Sequence, residues 1–133
     1  MTGNFEHARL GRVEKAYAGF RAGNLEDFLD PFDDDSIIIE AASLPYGGTY
    51  RGRDAIRAAL MQIGEVWTNL SYDIEEIIAG RNYVIAYGDL HITARSTGRA
   101  LSFKLAEVWR FEGERLISLQ PLYFDTAEAI SAL

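Results

Sequence analysis

The segment Leu101–Phe111 sets one carboxylic acid within a row of large apolar side chains. Successive side chains of a β-strand point to opposite faces of the sheet, so alternate residues of this segment share a face. That face carries Leu101, Phe103, Leu105, Glu107, Trp109 and Phe111. An unpartnered carboxylate is costly to bury, and a raised pKa or a dedicated partner relieves the cost. Glu107 is therefore a candidate for acid–base chemistry, the alternative being a structural acid that is hydrogen-bonded to a tyrosine.

Glu40 repeats this pattern at the end of the β-branched run Ile37–Ile39. Two such acids in one apolar pocket can remove a proton next to a carbonyl group, activate water on an epoxide or promote an aldol-type ring closure. The alternative for Glu40 is a strand-end residue exposed at the rim of the fold.

The remaining composition argues against several other chemistries. The 133 residues include no cysteine. The net charge is −7 and the thirteen basic residues are scattered, which is not typical of a nucleic-acid-binding protein. His7 and His91 fit no zinc spacing, and the loop Leu44–Tyr50 lacks the glycine pattern of a phosphate cradle. The adjacent acids Asp33–Asp35 are interpreted as a turn, because neighbouring side chains rarely converge on one ion. We expect no metal, nucleotide or flavin cofactor.

The hydrophobic periodicity predicts helices first and a long antiparallel meander afterwards. Helices are predicted over residues 5–22, after the capping residue Asn24, and after Gly52, with a short one following Asp125. The predicted strands are Ser36–Ala41, Leu70–Ala79, Tyr83–Arg95, Leu101–Phe111 and Leu116–Phe124. This is an α+β layout in one domain, residues 1–133, whose sheet must curl around the helices to cover its apolar face.

Five short segments occur in an order and spacing typical of one fold. They are Tyr17–Leu25, Phe32–Ser36, Gly47–Ile56, Val108–Gly113 and Tyr123–Ala127. Together they resemble the nuclear-transport-factor-2-like (NTF2-like) superfamily, in its SnoaL-like and ketosteroid-isomerase-like branch, over nearly the whole chain. The resemblance implies an NTF2-like cone, with three N-terminal helices packed on a strongly curved, antiparallel or mixed sheet that encloses a pocket. It does not name the reaction, because this fold hosts many.

The resemblance also implies roles for the two glutamates. When residues are counted along the chain from these segments, Glu40 stands at a position similar to that of the aspartate base of ketosteroid isomerases. Glu107 stands at a position similar to that of their protonated aspartate, which donates a hydrogen bond to the oxyanion. Ala16 and Leu60 stand where those enzymes have tyrosines. Tyr17 is adjacent to Ala16 but roughly 100° away around the helix. These departures favour a relative with altered chemistry over a steroid isomerase.

Aromatic residues are predicted to line the pocket, although such residues also serve as plain core. They are Tyr17, Tyr46, Tyr50, Trp67, Phe103, Trp109 and Tyr123. Asp125 is a secondary catalytic candidate whose alternative role is the N-cap of the last helix. His91 is another, although its face of the strand is expected to point outward or into a subunit contact.

Three functions stay open. The first is a cofactor-independent acid–base enzyme (an isomerase, cyclase or epoxide-hydrolase-like protein) acting on a small apolar carbonyl or epoxide. The second is a non-catalytic protein that binds a small hydrophobic molecule, and the third is a dimeric interaction module. We expect a homodimer, as in similar proteins, paired through the outer face of the sheet, where Ala94, Ala106 and Val108 permit close approach. The sequence shows neither a signal peptide nor a membrane span, which predicts a cytoplasmic location.

Overall fold

The computed structural model describes residues 2–133, with side chains described from Phe5 onward. The helices of this range are α1 (Thr2–Arg21), α2 (Leu25–Leu29), α3 (Arg53–Val66) and α4 (Thr126–Ser131). Its strands are β1 (Ile37–Glu40), β2 (Gly48–Arg51), β3 (Trp67–Ala79), β4 (Tyr83–Ala94), β5 (Ala100–Glu112) and β6 (Arg115–Tyr123). The predicted α+β layout is confirmed.

The strands form a curved, mixed sheet in the order β2-β1-β6-β5-β4-β3. The strands β3 to β6 make an antiparallel meander, and β1 runs parallel to β6. Because β6 lies between β1 and β5, the sheet brings the end of β1 close to the middle of β5. This topology is what draws Glu40 and Glu107 to one region of the molecule.

The sheet bends where β3 crosses β4 most closely. A Cβ atom at Gly88 would collide with the backbone oxygen of Asp73, and the register of the β3–β4 pair shifts between Ile74 and Glu76. A glycine beside a bulge lets two backbones approach and increases the local twist. This bend turns the inner face of the sheet toward the helices.

A sharp corner joins the first two helices. Gly23 has a φ of +74°, which favours glycine, and the Asn24 side chain accepts a hydrogen bond from the Asp27 amide at 3.2 Å. The corner folds α2 back on α1, so that Phe28 and Leu29 are buried. The predicted cap at Asn24 is confirmed.

The inner face of β5 is the centre of the core. Its residues Leu101, Phe103, Leu105, Trp109 and Phe111 are all buried, as the alternation predicts. Only Glu107 introduces a charge-bearing group into this row. In the part of the chain that the structure describes, no helix is both long and apolar enough to cross a bilayer.

Three details of the prediction are wrong. The loop after β1 ends in a strand, β2, which pairs with β1 despite its glycine. The strand predicted over Leu70–Ala79 begins three residues earlier, at Trp67, whose backbone is already extended (φ −116°, ψ 141°). Ala94 is fully buried on the inner face, so only Ala106 and Val108 of the predicted small residues belong to the outer face.

Candidate active site

A cavity of about 370 Å³ lies between the helices α1 to α3 and the inner face of the sheet. Its wall is mostly apolar, and Glu40 and Glu107 are the acids that reach it. The aromatic residues in the wall are Tyr17, Phe20, Phe28, Trp67, Tyr72 and Tyr123. No lysine, arginine or histidine is found among the described residues that line it. The cavity therefore holds two acids with no basic side chain to neutralise them.

Glu107 is held by a chain of hydrogen bonds that links α1 to β5. The Trp109 indole Nε1–H donates to the Tyr17 hydroxyl at 2.8 Å, and that hydroxyl donates to Glu107 Oε1 at 2.7 Å. Burial raises the pKa of Glu107 to about 7, against the lowering effect of the Tyr17 hydrogen bond. Burial and the nearby Glu107 charge hold the pKa of Tyr17 well above its usual value. Tyr17 thus keeps its proton and directs it to Glu107.

Glu40 has no such support. Its residue is 5% exposed, and its Oε1 atom has no hydrogen-bond partner among the described residues. Burial, and next the charge of Glu107, raise the pKa of Glu40 to about 8. A buried carboxyl group without a donor favours its neutral form.

Pro121 lies between the two glutamates in the sheet. It pairs with Glu107 across β5 and β6, and the parallel β1–β6 register, continued from Ile38↔Leu119, sets Glu40 opposite the same residue. Two strand spacings separate their backbones, roughly 10 Å. Side chains paired across neighbouring strands share a face, which is why both acids reach one cavity.

The contacts favour one distribution of the proton between the two acids. Because like charges in a largely apolar cavity oppose each other, the two groups are expected to titrate as a pair. The donor from Tyr17 stabilises the ionised form of Glu107, while the buried Oε1 atom of Glu40 meets no donor among the described residues. We therefore assign the charge to Glu107 and the proton to Glu40, the reverse of the roles that the resemblance to ketosteroid isomerases implies.

A second indole–tyrosine chain lies at the β1–β6 side of the cavity. Trp67 Nε1–H donates to the Tyr46 hydroxyl at 2.8 Å, and the hydroxyls of Tyr46 and Tyr123 are 2.7 Å apart. The Tyr50 hydroxyl donates to the Tyr46 carbonyl at 2.8 Å and so ties down the loop. Burial raises the pKa of Tyr46 to about 12 and raises that of Tyr123 as well. Both phenols therefore stay protonated at neutral pH.

The predicted pocket residues divide into two groups. Tyr17, Trp67 and Tyr123 line the cavity. Tyr46, Tyr50, Phe103 and Trp109 are not part of its wall, and the prediction of direct ligand contact is revised for them. Three of them contact a lining residue: Tyr46 is hydrogen-bonded to Trp67 and Tyr123, Phe103 packs against the Tyr123 ring at 5.8 Å, and Trp109 donates to Tyr17. Tyr50 is one step further away, because its hydroxyl donates to the Tyr46 carbonyl.

The two secondary candidates lie away from the cavity. Asp125 is the N-cap of α4, and its side chain accepts hydrogen bonds from the amides of Ala127 and Glu128. His91 lies on the outer face of the sheet, between Ser102 and Asp73. No group of three or more histidine or acidic side chains suited to a metal ion is found within residues 2–133.

Sequence reasoning missed Tyr72 and Pro121 as parts of the site. Tyr72 lines the cavity, and its hydroxyl lies 2.9 Å from the carbonyl of Ala86 and 2.7 Å from that of Leu105. Tyr72 alternates with polar neighbours in β3, and this pattern could have placed its side chain on the inner face of the sheet. Proline is rare inside a central strand because it has no N–H group to donate to the neighbouring strand, and this rarity could have drawn attention to Pro121.

Comparison with known proteins places the chain in a family. The SnoaL-like domain matches residues 13–119. No curated protein sequence matches the chain.

Solved structures show the same fold over nearly the full length. An NTF2-like protein of unknown function from Burkholderia pseudomallei is 26% identical, with a TM-score of 0.85 over 94% of this chain and 96% of the other. A candidate SnoaL-like polyketide cyclase from Jannaschia is 11% identical, with a TM-score of 0.76 over 97% and 91%. A Catenulispora acidiphila protein with a ketosteroid-isomerase-like fold, in complex with trimethylamine, is 19% identical, with a TM-score of 0.71 over 84% of each chain. The match of the family over most of the chain and the shared fold lead to one conclusion: this protein belongs to the SnoaL-like domain family, within the NTF2-like superfamily.

Proposed function

We propose that this protein is a cofactor-independent acid–base enzyme that acts on a small, mostly apolar carbonyl or epoxide compound. The observation that carries the proposal is the pair Glu40 and Glu107, which reach one largely apolar cavity in unlike environments. Pairs of titratable groups whose surroundings separate their proton affinities are typical of acid–base sites. The candidate SnoaL-like polyketide cyclase that shares this fold supports the same class of chemistry.

In the proposed reaction, the Glu107 carboxylate removes a proton from the carbon next to a carbonyl group. The electron pair of that C–H bond moves into the enolate, whose oxygen accepts a hydrogen bond from the neutral Glu40 carboxyl group. In a substrate whose C–H bond also adjoins a carbon–carbon double bond, the anion is a dienolate, and Glu107 then returns the proton to the far carbon of that double bond. Substrate and product are isomers, so no oxidant or cofactor is consumed. With an epoxide, the same pair would activate water and protonate the ring oxygen.

The test begins with a thermal-shift screen of small ketones, lactones and epoxides, followed by chromatographic detection of product. For a turned-over compound, Glu107→Gln should lower kcat by about 10²- to 10⁴-fold, the usual contribution of a positioned general base. Glu40→Gln should also lower kcat while leaving ligand binding nearly intact. The matched control is Glu14→Gln on the exposed side of α1. Glu107→Gln with more than a tenth of the wild-type turnover would contradict the proposal.

A non-catalytic binding protein is the second candidate. The relative that holds trimethylamine favours it, because that protein has this fold and binds a small molecule. In this case a compound would stabilise both the wild type and Glu107→Gln, and none would be converted. The substrate screen therefore distinguishes binding from catalysis.

We also propose that the outer face of the sheet pairs with a second copy of the chain. Large apolar side chains are exposed along this face: Ile78, Tyr83, Tyr87, Leu122 and Phe124. The register sets Tyr87, Ala106 and Leu122 side by side, with the small alanine between two larger residues. Such a surface is better suited to a partner than to water. Light scattering should give the mass of a dimer for the wild type and of a monomer for Leu122→Asp, and a monomeric wild type would contradict the pairing.

A further inference from the structure

We infer that Tyr123 donates a hydrogen bond to the substrate oxygen beside Glu40, and that Tyr46 and Trp67 hold it in position. The inference rests on the proposed function and names a further catalytic residue for it. It also restricts the substrate to compounds whose reacting oxygen becomes negatively charged, with an enolate as the leading case.

The direction of the hydrogen bonds carries the first step. An indole N–H only donates, so the Tyr46 oxygen accepts from Trp67. Tyr46 is fully buried, and Tyr123 is the partner that the described residues offer for its own proton. Because a buried hydroxyl that does not donate loses the free energy of a hydrogen bond, Tyr46 donates to Tyr123. The proton of Tyr123 is then left for the cavity.

The position of Tyr123 carries the second step. Tyr123 follows Pro121 by two residues on β6, so both side chains share the inner face, and Glu40 lies across from Pro121 on β1. The Tyr123 side chain lines the cavity, as does Glu40, whose Oε1 has no partner among the described residues. A ligand oxygen at this end can accept from both groups. The two donors of an oxyanion site would thus come from neighbouring strands.

Tyr17 cannot fill this role while it supports Glu107. A phenol has one proton, and that of Tyr17 is directed to Glu107. The two chains therefore divide the work: one presents a base, and the other presents a donor. A substrate would lie with its oxygen toward Tyr123 and Glu40 and with its acidic C–H bond toward Glu107. Its apolar body would contact the aromatic residues of α1 and α2.

The test uses 4-nitrophenol, whose anion resembles an enolate oxygen and absorbs visible light. Binding is measured to Glu107→Gln, in which the negative charge of the base is removed. Adding Tyr123→Phe should weaken binding of the phenolate by about 10- to 100-fold, as expected for loss of a hydrogen bond to a charged group. Tyr46→Phe in the same background should weaken it less, because the donor remains but is no longer held. Tyr50→Phe is the matched control, since its hydroxyl serves the same loop but not the cavity.

Equal phenolate affinity, within twofold, for the Tyr123→Phe and Tyr50→Phe variants would overturn the inference. Failure of the Glu107→Gln protein to bind the phenolate at all would overturn it too. If Tyr123→Phe does not fold, the phenolate affinity of Tyr46→Phe is compared with that of Tyr50→Phe instead. Equal affinities for these two variants would again overturn the inference. These results do not depend on turnover. The proposed function fails separately, if Glu107→Gln retains turnover of a substrate.

Discussion

The strand β5 contributes to a hydrogen-bonded polar cluster on each of its faces, and the two clusters differ in their suitability for catalysis. On the outer face, His91 lies 2.6 Å from the Ser102 hydroxyl and 2.9 Å from the Asp73 carboxylate. On the inner face, Glu107 accepts from Tyr17 at 2.7 Å. The distances are alike, and the outer cluster even has the residue types of a nucleophilic triad.

The difference lies in contact with water. The side chains of His91 and Asp73 are 39% and 74% exposed, whereas Tyr17 is 3% exposed and Glu107 faces a largely apolar cavity. Water screens exposed charges, so their interactions are worth little. On the inner face, the loss of water is the main reason that the pKa of Glu107 is raised. Residue types and distances alone do not make a site, since exclusion of water determines what the groups can do.

The largest expected effect is on the pH dependence of stability and involves Glu40. Its pKa is raised from 4.5 to about 8, so its contribution to stability is complete below its ordinary pKa and is lost as the pH rises toward 8. Each pKa unit is worth about 1.4 kcal/mol, which sets an upper limit of about 5 kcal/mol. Glu40→Gln should therefore gain stability relative to the wild type between pH 4.5 and pH 8, as measured by urea unfolding.

Glu14→Gln, on the exposed side of α1, is the control for that series. A constant difference between wild type and Glu40→Gln at pH 5 and pH 8 would show that Glu40 titrates as an exposed acid. The inner face would then not differ from the outer face in the way that its acids titrate.

The parts of this arrangement that depend on local sequence were predictable, and the parts that depend on contacts between distant segments were not. Alternation within β5 identifies Glu107, and the β-branched run of β1 identifies Glu40, because the pattern of neighbouring residues indicates which face of a strand is buried. The proton distribution was not predictable in this way. It depends on a contact between α1 and β5 that joins Tyr17 to Glu107, and nothing in either segment specifies that contact.

The loop after β1 shows the same limit. Its tyrosines, Tyr46 and Tyr50, were expected to line the pocket, but Tyr46 is fully buried and its hydroxyl accepts a hydrogen bond from the indole of Trp67. The strand β2 was missed because Gly48 disfavours a strand, while pairing with β1 stabilises it. Tertiary partners decide both outcomes.

A smaller effect is expected from Tyr17→Phe, which would remove the donor from Glu107 and the acceptor from Trp109. Leaving buried polar groups unpaired costs about 1–3 kcal/mol of unfolding free energy. The pKa of Glu107 should also rise, since its ionised form loses a hydrogen bond, and the acidic limb of the pH–rate profile should move to higher pH. Tyr83→Phe, on the exposed outer face, is the control. An unmoved limb would mean that Tyr17 has only a structural role.

The smallest effect is expected on the outer face. His91→Ala and Ser102→Ala should each change the unfolding free energy by no more than about 0.5 kcal/mol and leave turnover unchanged, because exposed polar contacts contribute little. A serine nucleophile would also need donors for a developing oxyanion, and the backbone amides of an internal strand are already engaged in the sheet. An organophosphorus reagent should therefore fail to label Ser102, as judged by the mass of the intact protein. Labelling that disappears in His91→Ala would show that the exposed cluster reacts, and contact with water would no longer explain the difference expected between the two faces.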